Sequence, residues 1–286
     1  MSEAKKPICV EKILVSLDNS KHSLAALSAA VQFARHFDAD LKGIFVEDTT
    51  LLSLAEMPFR QEVGEYTAIV REISTDGMTR SIFVQSRRVI RTFQKIINQS
   101  ELTGDFSILR GKVSEAIQKA SEECDLLILG KSGTNPLSQR RLGSTAIALV
   151  QNPQIPILLV EKENRIDKPI FVLFDDPTLG RISLDTAKTF LEQGEILNVL
   201  LNAEDPEDMI KHQEYLRKWA KDNRVDIKAN TFQQRTFHHL LQRIKGLKTG
   251  LFILPHNLRS PLNQIIEKCL EEVTLPILLI RSPEVY

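Results

Sequence analysis

The sequence predicts an α/β fold made of two tandem copies of one unit, each a five-stranded parallel sheet flanked by helices. Three observations point there. Apolar runs of strand length alternate with stretches whose apolar residues recur at three- and four-residue spacing, and strands separated by single helices argue for βαβ units and a parallel sheet. The second half repeats the landmarks of the first, as a duplicated unit would. Within the first half, Asp125 to Thr145 reads as a buried strand, a glycine-bearing loop and a helix start. In parallel sheets ligands bind beyond the carboxyl ends of the strands, where strand order reverses.

Residues 1–10 read as a short disordered lead. Ile13 to Leu17 is strand-like, and Asp18 ends it. Asn19 to Ser23 is a turn with capping residues, followed by a helix whose inner face is Leu24, Leu27, Ala30, Val31 and Ala34. Leu41 to Val46 is the second strand. Leu51 to Val70 has mixed helical and loop character, broken at Pro58. Ile82, Val89, Ile90, Phe93, Ile96 and Ile97 mark an amphipathic helix within Thr79 to Asn98. Its polar companions are Arg80, Arg87, Arg88, Arg91 and Lys95, a basic face that is either solvated or meets an anion or a partner. Asp105 to Leu109 is a strand, Val113 to Glu123 a helix and Leu126 to Leu129 a buried strand. Gln151-Asn152-Pro153 ends the next helix, and Ile155 to Val160 is the fifth strand. Glu163 to Lys168 is polar and reads as a linker, which divides the chain into 1–162 and 163–286.

The second half begins like the first, with Ile170 to Asp175 in the place of Ile13 to Asp18. Leu179 to Leu191 is helical, Ile196 to Leu201 a strand, Glu207 to Lys221 a helix and Val225 to Phe232 an alternating strand. Trp219 falls on an apolar helix face and reads as packing. Phe237 to Ile244 is helical, Leu251 to Leu254 matches Leu126 to Leu129, and Leu262 to Val273 is helical. Pro276 to Ile280 echoes Pro156 to Val160. The interval from Asp18 to Gly130 is longer than that from Asp175 to Pro255, with the excess mostly in 49–104. That predicts an added helix over one face of the first unit.

The chain has 286 residues, 42% hydrophobic and 26% charged, enough to bury two cores. Lys+Arg and Asp+Glu both number 37, so no global charge favours nucleic acid or an anionic membrane. No apolar run approaches the roughly 20 residues of a membrane span, and no signal-peptide core opens the chain, so the expectation is a cytoplasmic protein. Cys9, Cys124 and Cys269 are not in metal spacing and read as buried or semi-buried free thiols.

Gly130, Lys131 and Gly133 follow the fourth strand, and Gly143, Ser144 and Thr145 open the helix after it. Glycines let backbone N–H groups approach a phosphate, the helix start adds partial positive charge, and the hydroxyls can cap or donate. Ordinary turns and an N-cap account for the same residues. The pattern is neither a Walker loop nor a dinucleotide fingerprint. The matching interval of the second half, Pro255 to Pro276, is shorter, and 255–261 contains no glycine. Pro255 removes a backbone donor. The second half therefore is not expected to hold a triphosphate as the first would. His256 and Arg259 either meet some other anion or lie in a solvent-facing turn.

Gly130, Gly133, Gly143 and Ser144 match the G-x2-G-x9-G-(S/T) motif of the universal stress protein family in full. Together with ILVSLDNSKHSLAAL and the duplicated topology, they make the chain resemble a tandem member of that family. The resemblance implies doubly wound units of strand order 3-2-1-4-5 and ATP as the ligand of the motif-bearing copy. It implies Asp18 near ribose and base, Val46 on adenine, and Gly130, Lys131, Gly133, Gly143, Ser144 and Thr145 at ribose and phosphates. Lys131-Ser132 departs from the Arg-rich pair common there. The family's last-strand dimer contact could be made within one chain or between two.

Three functions stay in view. The first is a stress-related regulatory protein that binds ATP, with or without Mg²⁺, and changes the surface it offers to a protein partner or second copy. The second is a slow ATP hydrolase, for which Asp18 is the one obvious carboxylate at the strand edge, able with a serine to hold Mg²⁺ only weakly. The third is a scaffold without nucleotide, or a binder of an apolar ligand. His22 is either near the ligand or a turn residue, and His238-His239 lacks the spacing of a zinc site.

Overall fold

The computed structural model describes residues 8–50, 53, 61–63, 70–72, 75–132, 142–162, 165–175, 177–202, 205–232, 234–256 and 263–281. The first half contributes β1 (Lys12–Ser16), α1 (Lys21–Phe37), β2 (Asp40–Asp48), β3 (Gln61–Val63), β4 (Val70–Glu72), α2 (Thr75–Ser100), β5 (Gly104–Gly111), α3 (Val113–Ser121), β6 (Leu126–Gly130), α4 (Ser144–Gln151) and β7 (Ile157–Val160). The second contributes β8 (Arg165–Phe174), α5 (Pro177–Thr189), β9 (Ile196–Asn202), α6 (Pro206–Asn223), β10 (Asp226–Phe232), α7 (Gln234–Lys245), β11 (Thr249–His256), α8 (Asn263–Glu272) and β12 (Ile277–Arg281).

Ten strands form one sheet in the order β10-β9-β8-β11-β12-β7-β6-β1-β2-β5. Counted within each half, both units have the order 3-2-1-4-5. Every neighbouring pair is parallel except β12 and β7, which run antiparallel with Leu278 opposite Leu158. The residues explain this join. β7 is ILLV and β12 is ILLIR, and their aliphatic residues are buried on both faces of the sheet. A strand of that kind left at an edge would expose apolar side chains and unpaired backbone groups. Pairing the two fifth strands covers both. The outer edges are β5 and β10, whose residues are mostly exposed or half-buried.

Side chains alternate between two layers. Ile13, Val15, Leu41, Leu126, Ile128, Leu158, Val172, Val199, Ile253 and Leu278 join one core with residues of α1, α2, α5 and α6. Leu14, Ile44, Leu127, Leu129, Leu159, Leu173, Leu200, Phe252 and Leu279 join the other with α3, α4, α7 and α8. Each core runs through both units. On the first face the seam is closed by Phe33, His36 and Phe37 of α1 against Phe190, with His36 stacked on Phe190 at 4.4 Å between ring centroids. Trp219 is buried, and its indole N–H donates to Asp185 Oδ1 at 2.8 Å, tying α6 to α5. No helix among the described residues is long and apolar enough to cross a membrane.

Several expectations change. Arg165 to Lys168, read as linker, extend β8, and Arg165 pairs with Thr249 of β11. Strand pairing decides this, and no apolar period announces it. Within the region read as helix and loop, β3 and β4 form an antiparallel pair; the rest of 54–74 lies outside the described residues, as do residues 1–7. The added helix is α2, with Ile82, Val89, Phe93 and Ile97 buried and Arg80, Arg87, Arg88, Arg91 and Lys95 exposed. Cys124 and Cys269 are buried, whereas Cys9 is exposed.

The seam leads to an expected outcome. Leu278→Ala removes fully buried volume from the junction and should cost about 2–5 kcal/mol. Because both cores cross the seam, urea unfolding followed by far-UV circular dichroism should shift as one transition; two separated transitions would show that the units melt independently.

Candidate functional site

The site is built at the carboxyl edge of the first unit, between β1 and β6. Strand order reverses there, because β1 is followed by α1 on one face while β6 is followed by α4 on the other. Such a reversal opens a crevice. The register of β1 with β2 pairs Ser16 with Ile44, and Leu17 continues it by donating its N–H to the Ile44 carbonyl at 2.9 Å. Asp18 therefore leaves the sheet level with Val46, which is half-buried and paired with Leu109. Gly130 ends β6 opposite Val160. Asp18, Val46 and Gly130 thus share one edge.

Asp18 is held by a local turn. Its Oδ1 accepts the Ser20 N–H at 2.9 Å, and Asn19 between them takes a left-handed φ of 66°. Ser20 caps α1 by accepting the Ser23 N–H at 3.0 Å. The first turn of α1 then lies directly on Gly130: a Cβ there would meet the backbone carbon and Cβ of His22 at 2.8 Å. Gly130 is glycine because a helix packs on it. His22 Nδ1 accepts the Lys162 N–H at 3.4 Å, so the end of β7 joins the same edge. The sequence left His22 either near a ligand or in a turn; its packing on a motif glycine is a tertiary contact without a local signal.

Beyond Gly130, Lys131 donates its N–H to the Val160 carbonyl at 2.8 Å and accepts the Gly143 N–H on its own carbonyl at 2.7 Å. The two ends of the loop are thereby pinned together. Gly143 is the N-cap of α4, with no side-chain oxygen capping it, and Ser144 is exposed while Thr145 is half-buried. The first amides of α4 lie at the positive end of the helix, where an anion is favoured. Gly133 and the 133–141 stretch lie outside the described residues.

The Lys131 side chain, which the resemblance implies at the nucleotide, turns toward the second unit. It is 1% exposed, and its Nζ donates to the Val273 carbonyl just past α8. A carbonyl at a helix C-terminus is a favourable acceptor for an ammonium. His256 also departs from the expected solvent-facing turn. β11 runs on through Pro255 and His256, His256 is 6% exposed, and its Nε2–H donates to the Val150 carbonyl at 2.8 Å. Arg259 lies outside the described residues. Among the described residues no cluster of His, Cys, Asp and Glu could hold a metal ion.

Burial lowers the pKa of His22, His36 and His256 from the ordinary 6.5; Glu161 and Asp18 partly oppose this at His22, and the Val150 carbonyl at His256. Burial likewise pushes the Cys269 thiol far up, which leaves it inert.

Comparison with known proteins places the fold. The sequence pattern of the universal stress protein family matches residues 10–161. A universal stress protein of Methanocaldococcus jannaschii is 24% identical over 157 residues, covering 54% of this chain and 84% of the relative. The stress response protein NhaX of Bacillus subtilis is 24% identical over 162 residues, covering 53% of this chain and 98% of the relative. The crystal structure of a universal stress protein from Archaeoglobus fulgidus superposes with a TM-score of 0.69 at 14% identity, over 94% of this chain and 98% of that one. The last likeness speaks for the two-unit fold alone.

Two outcomes are expected. Gly130→Ala should destabilise the protein by about 1–3 kcal/mol, since α1 must shift to admit the methyl; an unchanged urea midpoint would show that the helix does not rest there. For the histidines, the unfolded chain takes up protons at 6.5 while the folded chain resists until lower pH. Their contribution is complete above that value and is lost as pH falls through the lowered folded values. The melting temperature should therefore drop on acidification below about 6.5, and less so in His256→Gln; a flat profile across that window would refute the assignment.

Proposed function

This chain belongs to the universal stress protein family, and from that premise we propose that its first unit, residues 1–162, is a regulatory receptor for ATP. The bare start of α4 beside the β1–β6 crevice carries the reading: amides at the positive end of a helix, with Ser144 and Thr145 on the first turn, suit a phosphate chain. Gly130, Gly133, Gly143, Ser144 and Thr145 line ribose and phosphates. Asp18 receives ribose hydroxyls, and Val46 gives an apolar rest to the adenine. Lys131 contributes through its backbone, while its ammonium donates to the Val273 carbonyl. Mg²⁺ accompanies the nucleotide chiefly on its phosphates, with Asp18 as a weak further ligand.

Glu161 and Asp18 both lie near His22 at this edge, Asp18 already accepts the Ser20 N–H, and among the described residues no acidic and histidine cluster could hold a metal ion; in this reading the protein binds and releases ATP without fast turnover. Occupancy changes a surface read by a protein partner or second copy in the cytoplasm. Residues 163–286 form the unit without a phosphate motif.

The measurement is thermal melting with and without Mg-ATP. Ligand at 100 times Kd raises stability by about 2.7 kcal/mol, so a clear upward shift is expected in the wild type and a much smaller one in Ser144→Ala/Thr145→Val. Phosphate release should be equally slow in both proteins. Absence of any shift at millimolar ATP would end the proposal.

A further inference from the structure

The second unit lacks the glycine motif, yet it grips the parts of the first unit that carry it. Lys131 directly follows β6, the fourth strand of its unit, and its Nζ donates to the Val273 carbonyl, just past α8 of the other unit. His256 ends β11, the fourth strand of the second unit, and its Nε2–H donates to the Val150 carbonyl in the last turn of α4. The contacts are reciprocal: a basic side chain at the end of each fourth strand meets a carbonyl at the end of the other unit's helix. Both side chains are more than nine-tenths buried. Both residues also bear on one element, Lys131 through its backbone and His256 through its ring. The Lys131 carbonyl holds the N–H of Gly143, the N-cap of α4, and His256 holds the far end of the same helix. α4 has 8 residues, too few to keep a helical geometry by itself.

We propose that the second unit is a positioning element for the first-unit site, fixing α4 and the end of β6 through the Lys131–Val273 and His256–Val150 contacts in the geometry that receives phosphates. The proposal rests on the nucleotide reading above. Amides held in place before binding need not be ordered by the ligand, which raises affinity. Reciprocity then requires that a bound nucleotide tighten the seam between the units.

The test centres on His256, which lies in the second unit. His256→Phe keeps a ring and deletes the donor, His256→Gln restores an N–H near the same point, and Arg281→Ala removes a different cross-unit bond, from its Nη1 to the Gln154 carbonyl beyond α4. Hydrogen exchange of the 144–151 amides is followed in nucleotide-free protein, and ATP dissociation constants by calorimetry. His256→Phe should speed exchange across α4 about fivefold or more and weaken ATP about tenfold. His256→Gln should return both toward wild type, and Arg281→Ala should change neither. Lys131→Met, cutting the other contact, should act in the same direction and replaces His256→Phe if that variant does not fold. Wild-type exchange across α4 in His256→Phe, or equal acceleration in Arg281→Ala, would overturn the proposal. Failure of the wild type to bind ATP would instead remove the nucleotide reading, while the exchange data still decide whether the second unit holds α4.

Discussion

The antiparallel pairing of β7 with β12 is the constraint on which the rest of this structure depends. Each unit by itself would end in a short aliphatic strand at an open sheet edge. Joining the two edges satisfies their backbone groups and makes one sheet with two continuous cores. Because the junction is antiparallel, the carboxyl ends of the two half-sheets face opposite ways. The end of β6 then lies beside the connection entering β12, and the end of β11 beside the connection entering β7. The Lys131–Val273 and His256–Val150 bonds follow from that placement.

Those bonds show how the duplicated units diverged and what they kept. Gly130 and Pro255 occupy matching ends of the fourth strands, and Pro255 has no amide hydrogen to offer a ligand. The next residue in each copy nevertheless does the same work, since Lys131 and His256 both cross the seam. A buried ammonium is costly unless it is paired. Here it meets a carbonyl at a helix C-terminus, where the free acceptor and the dipole both favour it. The copies differ in chemistry at one edge and agree in the architecture that joins them.

The glycine pattern carries more than one meaning. Gly130 is required by the first turn of α1, whose His22 backbone occupies the place of a side chain. Gly143 is an N-cap with ordinary φ of −71°, and it closes the loop through its N–H on Lys131. The same residues therefore build the crevice wall and close the loop beside it. A substitution at Gly130 perturbs the packing of α1 on the sheet before it touches anything else.

Alternation of strand and helix, duplication of the unit and the two apolar faces of each inner strand were all determined by the sequence, because local periods encode them. The shared edge of Asp18, Val46 and Gly130 followed once the strands were parallel, since register is set by which face is buried. Tertiary structure alone decided the destination of Lys131, the burial of His256, the contact of His22 with Gly130 and the early start of β8. The two cross-unit bonds join residues 142 and 106 positions apart, and no pattern within a helix turn or a strand pleat specifies an acceptor so distant. A lysine beside a phosphate-type motif reads as a ligand until the second unit supplies the carbonyl that takes it.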